Sequence, residues 1–135
     1  MRSPSTSTAS TALLLLSAVI TPAHSQSRPF TSAAYRLVSR TPTDTLPAFL
    51  QGGVLFISAD TLTFALRDNL AINAYRVVAD DLEVRDVPGG TLPCGPEPAL
   101  YRIRTQHDTL SFDSIDDPCA GRANGMAAMR LVPGQ

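Results

Sequence analysis

Apolar and polar residues alternate with a period of two in three stretches of this chain, and each alternation reverses about an acidic bend. In the run from Gly53 through Phe64, a two-residue turn at Ala59-Asp60 sets Ile57 against Leu62 and Leu55 against Phe64, all four on one face of a pleated pair. Phe56 and Thr63 fall on the other face. The phrase DTLTF that starts at Asp60 returns as DTLSF at Asp108, where Tyr101, Ile103, Leu110 and Phe112 form the inward set. Arg102, Arg104, Thr109 and Ser111 face outward there. A turn centred on Gln106-His107, or one residue later on His107-Asp108, leaves those faces unchanged, because this shift moves partners by two positions. Between the two copies, Tyr75, Val77, Leu82 and Val84 point inward and Arg76 lies across from Glu83. An Asp near each bend suits Asx-type bonding to the backbone, while the absence of Asn-Gly leaves the turn types open.

Two more alternating segments, residues 34–39 (AYRLVS) and 127–132 (AAMRLV), complete eight predicted strands. Pro, Gly and Asn-Asp punctuation separates them, and no segment sustains a 3.6-residue apolar period. The best helical candidates are short turns at residues 46–50 and 121–126. Sequential hairpins leave the first and last strands adjacent when a sheet curls, and closure removes its exposed edges. The expectation is therefore an all-β fold, an eight-stranded antiparallel up-and-down barrel occupying residues 34–132 as a single domain. A two-sheet β-sandwich is the alternative.

The first residues change the picture of where this domain works. Arg2, a Ser/Thr-rich lead and the apolar run at residues 12–20 precede Thr21-Pro22-Ala23-His24-Ser25, a small-residue site that signal peptidase accepts. The run is far shorter than the ~20 residues a membrane span needs. Residues 1–25 are thus expected to be a cleaved signal peptide that leaves no transmembrane anchor, with a secreted or periplasmic product and a flexible arm at residues 26–33. Cleavage leaves about 110 residues, enough for one domain with a modest core. Cys94 and Cys119 are the 2 cysteines of the chain, and an oxidising compartment makes a disulfide between them the default. Pro93, Pro96 and Pro98 place that bridge just beyond the last hairpin's ladder. On the chain-entropy account it stabilises by roughly 3 to 4 kcal/mol.

The segment from Tyr101 through the DTLSF hairpin into Asp117-Pro118-Cys119-Ala120-Gly121-Arg122 resembles a motif of small exported bacterial barrels of the lipocalin-like (calycin) type. The resemblance covers the plan of residues 34–132. It implies a lipocalin-like barrel that binds or carries a small apolar ligand. Lipocalins pack an early Trp against a late Arg; this chain has no Trp, and Tyr35 takes its place with Arg122 or Arg130 as the late partner.

An eight-stranded barrel interior is filled by side chains or holds one small ligand. The inward residues Leu55, Ile57, Leu62, Phe64, Tyr75, Val77, Leu82, Val84, Tyr101, Ile103, Leu110 and Phe112 make the expected lining, with the Tyr75 and Tyr101 hydroxyls as orienting groups. Catalytic machinery is not legible: His107, the one histidine beyond the leader, sits at a hairpin tip, and no nucleophile-base pattern accompanies it. Asp113, Asp116 and Asp117 lack the spacing of a Ca²⁺ loop, and Asp116 is expected to pair with Arg122 as a structural ion pair. No cofactor or metal is implied. The formal charge of -1 and the absence of a basic face argue against a nucleic-acid partner. The partner is then a small hydrophobic ligand. The alternative is an exported protein, bound as an inhibitor barrel with a filled core would bind it, through the arm or loop tips.

Overall fold

The computed structural model describes residues 29–91 and 94–134. The expected leader, residues 1–25, lies outside them. Strands β1 (Ala34–Ser39), β2 (Val54–Ile57), β3 (Thr61–Ala65), β4 (Leu70–Val78), β5 (Asp81–Asp86), β6 (Ala99–Gln106), β7 (Thr109–Asp116) and β8 (Met129–Pro133) form one closed antiparallel barrel in sequence order. β8 returns to β1 with Leu37 opposite Leu131, which removes both edges. Helix α1 (Ala120–Ala128) links β7 to β8, and a 3₁₀ turn at Ala48–Leu50 lies between β1 and β2. No helix of the described residues is long and apolar enough to cross a membrane.

The alternation does what its period requires. Leu55 faces Phe64 and Ile57 faces Leu62 in the first hairpin, and Arg76 lies opposite Glu83 in the second, bonded to it across the ladder at 2.9 Å. In the third hairpin Gln106 pairs with Thr109, so the bend is His107-Asp108, the later of the two centres. The inward faces survive that choice, and Tyr101, Leu110 and Phe112 are almost fully buried. Ala79 and His107 open their bends at φ 55° and 54°, a left-handed conformation that short turns between twisted strands favour.

Two boundaries differ from the expectation. Residues 127 and 128 belong to α1, not to the last strand, because the run AGRANGMAA is alanine-rich and alanine propagates a helix best. β4 starts at Leu70, where Asn69 and Asn73 obscure the alternation. The expected flexible arm is also docked where it is described. Phe30 is buried with its ring edge-on to Tyr35 and Tyr75 at centroid distances of 6.1 and 5.5 Å. Thr31 and Ser32 donate their backbone N–H groups to Tyr35 Oη at 2.8 and 3.1 Å. Tyr35 is therefore held by the arm and not by a late arginine. Arg130 Nε donates instead to Ser39 O at 3.0 Å, and Arg122 is engaged at the far end of the barrel.

Phe30 packs at the barrel end that carries the three short bends, where Tyr75 Oη reaches Ser58 O. The opposite end carries the longer connections, and the 3₁₀ turn folds tightly onto it. A Cβ on Gly53 would stand 2.9 Å from Leu50 O and 3.0 Å from both Leu37 Cδ2 and Leu66 Cδ2, so only glycine admits this approach. The turn and α1 together roof that end, with the Phe49 ring over Gly125.

Candidate functional site

Under this roof the barrel is not filled. A cavity of about 370 Å³ opens between the strands, the 3₁₀ turn and α1, within the range of pockets that take small molecules. Leu62, Phe64 and Leu66 come from β3 and its exit, Ala71 from β4 and Val84 from β5. Phe49 and Leu50 supply the 3₁₀ side, and Met126 and Met129 the helix side. Methionine thioethers adapt their shape to a guest, which suits a site that receives one. Phe49, at 46 % exposure, stands at the rim.

Of the twelve inward residues expected to line a pocket, Leu62, Phe64 and Val84 do so. Leu55, Leu82, Tyr101, Leu110 and Phe112 are core residues, with Ile57, Tyr75, Val77 and Ile103 packed against them. The reason is geometric: a narrow barrel closes around its large side chains, and the cavity lies toward the α1 end, where the small Ala71 and Gly125 are part of its wall. The two tyrosine hydroxyls are spoken for. Tyr75 Oη donates to Ser58 O at 2.9 Å, and Tyr101 Oη donates to Asp117.

The polar part of the wall was less visible in the pattern. Asn69, Asn73, Asp86, Arg122 and the Cys94–Cys119 disulfide border the cavity. Arg122 grips Asp117 with two bonds of 2.9 Å from Nε and Nη2, and reaches Asp86 at 3.1 Å through Nη1. The same two carboxylates accept the backbone N–H of each bridged cysteine, Asp86 from Cys94 at 2.6 Å and Asp117 from Cys119 at 2.8 Å. One guanidinium, two acids, one tyrosine and one disulfide thus form a single knot at the foot of α1.

The expected pairing of Asp116 with Arg122 is corrected by this geometry: the partner is Asp117, and Asp116 is exposed. Between Leu100 and Tyr101 the ladder shifts register, so Tyr101 faces Ser114 while Leu100 faces Asp116 and Ile115 is the extra residue. Such a bulge inverts the alternation beyond it, which turns Asp117 inward. Asp113 is separately held by Arg40 and Arg104 on the outer face.

Burial pushes the Asp117 carboxyl upward, but the bonds from Arg122, Tyr101 and the Cys119 amide outweigh it and hold the group below the usual carboxylate range. Burial and the adjacent Asp117 carboxylate push the Tyr101 hydroxyl well up, so it remains a donor. Arg122, penalised by burial, stays charged because Asp117 faces it. A carboxyl whose folded value is depressed contributes stability at pH above its unfolded value and loses it as pH falls through the folded one. We therefore expect the denaturant midpoint to be flat from neutral pH to about pH 4.5 and to fall steeply below about pH 4. In Asp117→Asn the acid-side slope is expected to be shallower, measured by urea titrations across that range.

Comparison with known protein families, with curated proteins and with solved structures finds no match to this chain.

Proposed function

We propose that the protein is a lipocalin-like binding protein that holds one small hydrophobic ligand in the cavity beneath α1, and that it works after export. The observation that carries this reading is the cavity of about 370 Å³ at the α1 end of a closed barrel. A barrel built to act through its surface would be packed throughout, so the cavity favours a ligand over a protein-inhibitor role. The apolar walls from β3, the 3₁₀ turn and α1 make transfer of an apolar molecule from water favourable by about 25 cal/mol per Å² of apolar surface buried. The disulfide supports an oxidising compartment.

Native mass spectrometry of protein purified from its host tests the reading directly: a co-purified small molecule is expected. Saturable binding of the neutral dye N-phenylnaphthylamine, with a fluorescence rise, is expected of the emptied protein. Ala71→Phe places a ring in the cavity and should weaken the dye at least tenfold while the protein still unfolds cooperatively. Undiminished dye binding by this variant would place the ligand elsewhere and refute the proposal.

A further inference from the structure

Among the residues lining the cavity, Asn73 is the one whose polarity nothing in the fold uses. It sits on β4 between Ala71 and Tyr75, opposite Leu62 on β3 and Asp86 on β5. It lies within the apolar core at 4 % exposure, and its Oδ1 has no hydrogen-bond partner among the described residues. A buried carbonyl left unpaired is destabilising, and a core position of this kind is normally filled by an apolar residue. The Cβ–Cγ torsion of asparagine is soft, so the carboxamide can turn Oδ1 toward a group arriving in the cavity.

The neighbouring charges decide what that group is. Arg122 lines the same cavity, yet its charge is paired with Asp117 and Asp86, and Nη2 also reaches toward Glu97 O at 3.5 Å. Two carboxylates against one guanidinium leave this wall negative. An incoming carboxylate would find no free cation there and would face Asp86, while giving up its hydration.

Resting on the proposed ligand-binding role, we propose that the cavity selects an apolar molecule whose polar end is an uncharged hydrogen-bond donor, a hydroxyl or an amide N–H, which binds Asn73 Oδ1. Ionised fatty acids are rejected. The apolar body lies against Leu62, Phe64, Val84, Met126 and Met129, and the donor supplies the bond that Asn73 Oδ1 does not make within the fold.

The test uses three ten-carbon probes, decanol, decanoate and chlorodecane, each competing with the dye at neutral pH against wild-type protein, Asn73→Leu and Asp86→Asn. Wild-type protein is expected to take decanol at least tenfold more tightly than decanoate. In Asn73→Leu the ratio of decanol to chlorodecane affinity should fall about tenfold, the worth of one well-placed buried hydrogen bond. The same variant should melt roughly 4–8 °C higher, because an unsatisfied polar group has gone; this separates a lost contact from a lost fold. In Asp86→Asn the ratio of decanoate to decanol affinity should rise about tenfold. Decanoate binding as tightly as decanol, or an unchanged ratio in Asn73→Leu, overturns the head-group assignment while chlorodecane binding leaves the apolar site standing. Failure of all three probes to bind overturns both.

Discussion

Replacing Arg122 with Ala is expected to lower the unfolding free energy by about 3–5 kcal/mol, the cost of stranding a buried charge. The Asp117 side chain has 0 % exposure and that of Arg122 8 %, so neither is an ordinary surface partner. Without the guanidinium, Asp117 keeps only Tyr101 Oη and the Cys119 amide, and Asp86 loses its cation. Exposed pairs such as Arg76 with Glu83 contribute little, because solvent screens them, and their removal serves as the control. Since the knot also anchors the foot of α1, the variant should release the dye. Urea titration measures the first effect and fluorescence the second. A loss below about 1 kcal/mol would mean that the pair behaves as a solvated one. Removing Asp117 together with Arg122 should cost less than the sum of the separate losses, because the stranded charge disappears with its partner.

Reducing the Cys94–Cys119 bridge, or replacing both cysteines with Ser, is expected to remove about 3.5 kcal/mol, the chain-entropy value for a closed loop of this size. The two residues are 25 positions apart with Cα atoms at 5.4 Å. The bridge ties the β5–β6 connection to the start of α1, and both cysteines border the cavity. The backbone amides of both cysteines are held by the acids that Arg122 joins, so bridge and ion cluster share one geometry. Their losses should therefore be coupled: Arg122→Ala costs less in the reduced protein than in the oxidised one. Denaturant midpoints with and without reductant read the effect. Unchanged midpoints and dye affinity on reduction would show that the roof stands without its staple.

The strand faces were legible because period-two alternation is a local property. Leu55 and Phe64, or Tyr75 and Val84, reveal their side of the pleat from neighbours a few positions away. The pairing of Arg122 was not legible, because Asp116 and Asp117 are adjacent and only the register shift at Leu100 and Tyr101 decides which turns inward. Asn73 was missed because it interrupts an apolar pattern, and an interruption reads as a strand end. The buried orphan oxygen was therefore hidden by the feature that makes it informative.

By itself, the amino-acid order determined the hairpins, their inward sets, the all-β class and the pairing of its two cysteines, since each follows from local alternation or from elimination, while the β1–β8 pairing in the structure decided the barrel over the sandwich. Only the tertiary structure decided that Phe30 packs onto Tyr35 and Tyr75 and that a cavity lies beneath α1. A cavity is the space left over when elements distant in the chain meet. Its size depends on how Ala71, Gly125, Met126 and Phe49 approach one another in three dimensions, and no run of neighbouring residues encodes that distance.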